Sequence, residues 1–183
     1  MTTKNELTDK KGIPSAEKCL IILTNAGCSE QVICHCKAVR DVAMHIVDHT
    51  MDVNKKLVES GALLHDIGRS KTHGIDHAMV GGRIATKLGL SEKIVHIIER
   101  HIGAGLTPSV AKSLGLPFKD FMPKTIEEKI VCHADNLIDD CNRQDIEVEV
   151  ERALLENHKE YAMQLVKLHK EISELIGMDA NKV

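Results

Sequence analysis

The chain has 183 residues, a formal net charge of −3 and only 2% aromatic residues. This length is enough to bury a full core, and we predict a single domain over residues 1–183. The weak negative charge, without a basic block, argues against a surface for extended nucleic acid. No apolar run reaches the roughly 18 residues of a membrane span, and Met1 to Lys11 lacks an apolar signal region. We therefore expect a cytoplasmic protein with no membrane contact.

The apolar residues of almost every segment recur with the 3.6-residue period of a helix, and no segment alternates as a strand would. The predicted fold class is therefore all-α. Capping residues and glycine stops predict helices over residues 16–26, 30–49, 55–67, 77–88, 92–101, 108–114, 126–138 and 146–176, the last with a break near Asn157. The region 146–176 shows no concentrated chemistry, and we expect it to pack as a lid or a support.

Most of the six cysteines lie within these predicted helices. Their number is even, but a chain of this size needs no disulfide framework. The sequence contains no C-x-x-C pair, which argues against a structural zinc site. We interpret all six as thiols in or near the core: Cys19, Cys28, Cys34, Cys36, Cys132 and Cys141.

The strongest chemical signal is the adjacent pair His65-Asp66, which follows an apolar helical stretch and precedes Gly68. Neighbouring side chains on a helix diverge by about 100°, but at a helix end an imidazole and a carboxylate can converge on one cation. A buried pair that is satisfied by its own hydrogen bond is the simpler alternative.

Four further donors can share that site. His35 and Asp135 lie on the apolar stripes of their helices, where a lone polar group is costly. His77 opens a helix and His101 closes one, so both side chains can point toward a common centre. Satisfied core histidines and a salt bridge of Asp135 remain the alternatives. Six nitrogen and oxygen donors suit one or two divalent transition-metal ions (Fe, Mn, Co, Ni or Zn). If two ions bind, the carboxylate of Asp66 could bridge them.

The loop after the pair carries Arg69, Lys71 and His73, which could bind the anionic oxygens of a substrate. Arg69 is the strongest candidate because it is closest to the pair. A solvated surface loop is the alternative. For catalysis we predict Asp66, which could orient the nucleophile, together with Arg69.

The order His … His-Asp … Asp, embedded in LLHDIG at 63–68 and ADNLI at 134–138, resembles the HDIG branch of the HD superfamily of metal-dependent phosphohydrolases. The resemblance covers about residues 32–139. It implies a helical bundle around a buried His/Asp metal site, with a core over about 30–140 and a C-terminal extension over 141–183. The shared ligands would be His35, His65, Asp66 and Asp135, and His77 and His101 would be the extra histidines of binuclear branches.

The stretches that begin at His77 and His101 are similar to those of an archaeal group of HDIG-domain proteins and of bacterial diadenosine tetraphosphate hydrolases. The resemblance implies that metal-activated hydroxide cleaves a nucleotide or another small phosphoester, such as a dinucleoside polyphosphate. A catalytically silent, nucleotide-binding regulatory module is the alternative. A helical interaction protein is a further alternative, but the six candidate metal-binding side chains would then share their inward or helix-end positions by coincidence. We expect a small phosphorylated substrate as partner, and the sequence leaves a homo-oligomer open.

Overall fold

The computed structural model describes residues 11–183. The expectation of a cytoplasmic protein rests on the polar start of the chain. Residues 1–10 of that start lie outside the described residues. Within residues 11–183, none of the helices combines the length and the hydropathy that crossing a bilayer requires.

The described chain is mostly helical, as predicted. Its helices are α1 (Ala16–Ala26), α2 (Glu30–Asp48), α3 (Lys55–Leu64), α4 (His77–Lys87), α5 (Glu92–Glu99), α6 (Pro108–Ser113), α7 (Ile126–Asn136), α8 (Ile146–Leu155) and α9 (Lys159–Ile176), with 3-10 turns at Ile67–Ser70 and Ala180–Lys182. An antiparallel hairpin, β1 (Ile138–Asp139) with β2 (Asn142–Arg143), was not expected. Strands of two residues are too short to show an alternating pattern.

Most helix starts follow the capping residues in the sequence. The side chains that accept a hydrogen bond from a backbone N–H two or three residues later are those of Ser15, Ser29, Asn54, Ser91, Thr107 and Thr125. Asp76 precedes α4 but makes no such bond. Its carboxylate instead accepts from the Thr72 hydroxyl at 3.0 Å, within the loop that leads to the helix.

Helix α3 lies inside the bundle, where it packs against α1, α2, α5 and α7. Residues 60–64, its last turn, are all buried. Each fully buried Leu or Ile contributes about 1.5–3 kcal/mol to folding. The helix that leads to the His65-Asp66 pair is therefore held on several sides by an aliphatic core, whose largest side chains include Leu23, Ile46, Leu63, Leu64, Ile67, Ile94, Ile97, Ile98, Ile130, Leu137, Leu165 and Ile172.

The cysteines only partly match their prediction. Cys19, Cys36 and Cys132 are buried thiols, and burial raises the pKa of Cys19 to about 12. The prediction of six thiols is wrong for Cys34 and Cys141, which form a disulfide with their Cα atoms 5.8 Å apart. They are separated by 107 positions in the sequence, and the packing of the hairpin on α2 brings them together.

Gly68 allows the chain after the pair to approach α4 closely. A Cβ atom at Gly68 would collide with the carbonyl oxygen of His77 and would lie 2.7 Å from the nitrogen of Gly81. A Cβ atom at Gly81 would in turn lie 2.7 Å from Cγ2 of Ile98. The 3-10 turn at Ile67–Ser70 therefore packs on the backbone of α4, which fixes its distance from the first turn of that helix.

We expect Gly68→Ala to lower the free energy of unfolding by about 1–3 kcal/mol, because two backbones cannot relieve a clash by changing rotamer. Denaturant unfolding measures this change. Gly74→Ala is the matched control in the neighbouring loop, since its Cβ would meet side-chain atoms and no backbone: Oδ1 of Asp76 at 2.9 Å and Oγ1 of Thr72 at 3.5 Å. The control should stay within about 0.5 kcal/mol of wild type. Equal effects of the two substitutions would contradict the close approach.

Candidate metal centre

The six predicted metal-binding side chains lie together at one side of the bundle. Two come from within helices, α2 and α7, and the other four come from helix ends or the turns beside them. His65 and Asp66 follow the last turn of α3, His77 opens α4, and His101 follows α5 by two residues. The residues brought together are His35, His65, Asp66, His77, His101 and Asp135.

Asp66 lies between two groups of histidines. Its Oδ1 atom is 3.2 Å from Nε2 of His77 and 3.6 Å from Nε2 of His101. Its Oδ2 atom is 3.9 Å from Nε2 of His35 and from Nε2 of His65. Each carboxylate oxygen therefore faces a different histidine pair.

Asp135 completes the group that contains His35 and His65. Its Oδ1 atom lies 2.9 Å from Nε2 of His35 and 3.4 Å from Nε2 of His65. These two Nε2 atoms are 3.2 Å apart, and those of His77 and His101 are 3.0 Å apart. Nitrogens this close can share at most one proton per pair.

Backbone carbonyls fix the tautomer of all four histidines. Their Nδ1 atoms lie 2.7–2.8 Å from the carbonyl oxygens of Asp140, Ala62, Gly74 and Ile98. A carbonyl can only accept, so each Nδ1 carries a hydrogen, and in the neutral form of each ring the lone pair of Nε2 faces the centre. Metal-binding histidines are oriented by such contacts.

The electrostatics of the centre keep both carboxylates ionised. Burial alone would raise the pKa of Asp66, but the charge of His65 and the contacts with His101 and His77 outweigh it and hold that pKa well below its usual range. The pKa of Asp135 is also lowered, because His65 outweighs its burial. Although burial lowers the pKa of His65, Asp135 and Asp66 raise it to about 9. A cation that binds Nε2 of His65 would therefore compete with a proton.

The residues fit one or two divalent ions. His35, His65 and Asp135 offer donor atoms within 4.8 Å of one another, as do His65, Asp66 and His101. Oδ1 of Asp66 is buried and makes no hydrogen bond, a state that costs about 1–3 kcal/mol without compensation. A cation would satisfy this oxygen and the facing lone pairs of the histidines. Imidazole with carboxylate is a donor set typical of transition metals.

The centre forms the floor of an open cleft of about 470 Å³. Arg69 and His73 line this cleft, and Nε of Arg69 donates to Oδ2 of Asp66 at 2.5 Å. Lys71 does not line it, because its ammonium donates to the carbonyl of Ala26 at 3.1 Å. Successive side chains diverge by about 120° in a 3-10 turn, so Arg69 and Lys71 point to different sides. Of the three predicted phosphate contacts, Arg69 and His73 therefore lie at the cleft and Lys71 does not.

The region predicted to be a lid or support without chemistry also reaches the cleft. Glu149 and Arg152 of α8 and Tyr161 of α9 line it. Glu149 accepts hydrogen bonds from Nη1 of Arg152 at 2.7 Å and from the Tyr161 hydroxyl at 3.3 Å. Sequence reasoning missed Tyr161, and it missed Glu149 and Arg152 because charged residues on a helix usually form a solvated face. Tyr161, the single tyrosine of the chain, was the available signal.

Two contacts hold the segment around His101 against α7. Nη1 of Arg100 lies 2.8 Å from both carboxylate oxygens of Glu128, near the start of α7. At the other end of that helix, Nδ2 of Asn136 donates to the carbonyl of Gly103 at 2.7 Å. The positions of His101 and of Asp135, which precedes Asn136, are thereby coupled.

We expect removal of metal by a chelator to lower the melting temperature by roughly 5–10 °C. A ligand present at 100 times its Kd adds about 2.7 kcal/mol of stability, and a domain of this size shifts by about 2–4 °C per kcal/mol. Differential scanning calorimetry with and without chelator measures the effect. His45 is an exposed histidine of α2, so the chelator should lower the melting temperature of His45→Ala as much as that of the wild type. It should lower the melting temperature of His101→Ala by less. Identical melting of the wild type in both conditions would contradict a shared internal metal site.

Comparison with known proteins places this centre in a family. Residues 32–139 match the model of the HD domain. The chain is 47% identical over 167 residues to the uncharacterized protein MJ0778 of Methanocaldococcus jannaschii, covering 87% of this chain and 98% of that protein. It is 42% and 41% identical to proteins named tRNA (cytidine(56)-2'-O)-methyltransferase from Picrophilus torridus and Thermoplasma volcanium, each over 94% of this chain. The chain spans about half the length of these two relatives, 50% and 51%.

A solved structure shows the same fold. The HD domain of the L. monocytogenes phosphodiesterase PgpH matches with a TM-score of 0.55 and 16% identity, over 87% of this chain and 97% of that one. The match includes the helical bundle but, at this identity, shows the fold alone. Together with the family match over residues 32–139, it leads to one conclusion: the chain belongs to the HD-domain family.

Proposed function

We propose that this chain is a metal-dependent phosphohydrolase that acts on a nucleotide or another small phosphoester. The observation that carries the proposal is the position of Asp66, whose two oxygens face separate histidine groups at the floor of a cleft. The HD-domain family supports it. Dinucleoside polyphosphates are among the substrates to be tested.

The proposed chemistry divides between the metal and the residues of the cleft. Divalent ions bound here would lower the pKa of a coordinated water and offset negative charge on phosphate oxygens. Nε of Arg69 is held by Asp66, so the terminal nitrogens of its guanidinium are the groups that would contact phosphate oxygens. His73, exposed in the same cleft, would supply a second donor.

The shape and charge of the cleft support a small substrate. A volume of about 470 Å³ lies within the range of about 300–1,000 Å³ that is usual for small-molecule sites. Carboxylates of Asp139, Asp140 and Glu149 also line the cleft. They would repel a long polyanion passing over them while leaving room for a single phosphoryl group near Arg69.

A nucleotide-binding module without turnover is the second candidate. The contact that favours it is the ion pair between Arg69 and Asp66, at 2.5 Å. This pair occupies Oδ2, the oxygen of Asp66 that faces His35 and His65, and could restrict its role in catalysis. Calorimetric titration with nucleotides separates the candidates, since tight binding with unchanged nucleotide after hours would support the module.

The experiment is a hydrolysis screen of the metal-loaded protein. The panel comprises p-nitrophenyl phosphate, bis-p-nitrophenyl phosphate, nucleoside mono-, di- and triphosphates, dinucleoside polyphosphates and tRNA. Transfer RNA is included because of the names of two relatives, and a parallel reaction with a labelled methyl donor tests methyl transfer. We expect hydrolysis of at least one member of the panel, which Asp66→Ala abolishes and His45→Ala preserves. No hydrolysis of any member would overturn the proposal.

We expect Arg69→Ala to lower kcat/KM about 10- to 100-fold, because a charge-assisted contact to phosphate is worth about 1.5–3 kcal/mol. Steady-state kinetics on the best substrate of the panel measure this loss. Lys71→Ala is the matched control, because its ammonium contacts the Ala26 carbonyl outside the cleft, and it should change kcat/KM less than about twofold. Equal losses in both variants would show that the loop acts through its overall charge.

A further inference from the structure

The disulfide between Cys34 and Cys141 is directly adjacent to the metal centre in sequence. Cys34 precedes His35, and Cys141 follows Asp140, whose carbonyl oxygen lies 2.7 Å from Nδ1 of His35. The covalent bond therefore joins the two chain segments whose hydrogen bond orients one metal-binding histidine.

His35 differs from the other three histidines in where this carbonyl comes from. The acceptors for Nδ1 of His65, His77 and His101 each lie three residues earlier in the chain. The acceptor for His35 lies 105 residues away. Local helix-end geometry therefore orients three of the rings, whereas the fourth depends on the docking of a remote segment.

That remote segment is the turn between β1 and β2. Asp140 occupies the left-handed region there, with φ 53°, and its Oδ1 atom accepts a hydrogen bond from Nε2 of Gln31 at 3.2 Å. Ile138 of β1 is buried in the core, but besides the disulfide only exposed hydrogen bonds among the described contacts join the turn at Asp140 to α2. Such bonds contribute only about 0.5–1.5 kcal/mol each.

The disulfide is open to reagents in solution. Cys34 is exposed and Cys141 is partly exposed, whereas Cys19, Cys36 and Cys132 are buried. Access to a sulfur atom is one of the conditions for thiol–disulfide exchange.

We propose that Cys34–Cys141 is a thiol-exchange site that controls the metal affinity of the half of the centre formed by His35 and Asp135. A dithiol reductant would attack one sulfur as a thiolate, forming a mixed disulfide and releasing the other cysteine as a thiolate that takes up a proton. The second thiol of the reductant then displaces the first cysteine. The protein gains two electrons and two protons, and the reductant becomes a disulfide. The inference rests on the metal centre of the proposed function.

Reduction would free the hairpin turn and loosen the carbonyl of Asp140 from His35. Loss of such an outer contact lowers metal affinity by about 10- to 100-fold. We expect reduced protein, freed of dithiothreitol by anaerobic gel filtration, to bind Co²⁺ more weakly by that factor than oxidised protein. Calorimetric or spectroscopic titration gives the Kd.

Two variants complete the experiment. A Cys34→Ser/Cys141→Ser protein should bind Co²⁺ with the affinity of the reduced wild type whether or not it is treated with dithiothreitol. Cys28→Ser, which removes a partly buried free thiol, should keep the full response to reduction. Mass spectrometry after alkylation counts the thiols in each state.

The outcomes separate this inference from the proposed function. Equal Kd values in oxidised and reduced protein, with two thiols gained on reduction, would overturn the inference alone. Alkylation of Cys34 and Cys141 before any reduction would overturn it as well. A redox-dependent Kd without hydrolysis of any phosphoester would support the inference and overturn the phosphohydrolase. Absence of Co²⁺ binding in both states would overturn both.

Discussion

The structure depends on one buried carboxylate that faces two histidine pairs. Asp66 is ionised inside the protein, and its Oδ1 atom lies 3.2 Å from Nε2 of His77 without making a hydrogen bond. A buried anion needs positive charge close by. The core that encloses α3 and the tight turn at Gly68 keep Asp66 where both histidine groups can supply that charge or share a cation with it.

The physics of helix ends explains how the histidines are oriented. The last carbonyls of a helix have no partner within it. The carbonyls of Ala62 and Ile98, in the final turns of α3 and α5, accept from the Nδ1 atoms of His65 and His101. Each imidazole thereby satisfies a helix end and turns its Nε2 atom to the centre. The same short-range contact therefore pairs a free backbone carbonyl and orients a candidate metal-binding nitrogen.

The sequence predicted what local chemistry decides. Caps and apolar stripes located the helices. The six donors were found because a polar residue on an apolar stripe is costly and because side chains at helix ends can point toward a common centre. The hairpin, the disulfide of Cys34 with Cys141, and the approach of Glu149 and Tyr161 to the cleft depend on how remote segments pack. The side chain of Lys71 points away from the cleft, and its direction depends on a 3-10 turn that spacing alone did not reveal.

Metal content measured by elemental analysis tests the central claim, that Asp66 joins the two histidine groups into one metal centre. The measurement compares gently purified wild type, Asp66→Ala and His45→Ala, with circular dichroism to confirm folding. We predict bound transition metal in the wild type and in His45→Ala, and almost none in Asp66→Ala. A folded Asp66→Ala protein that keeps the metal content of the wild type would contradict the account.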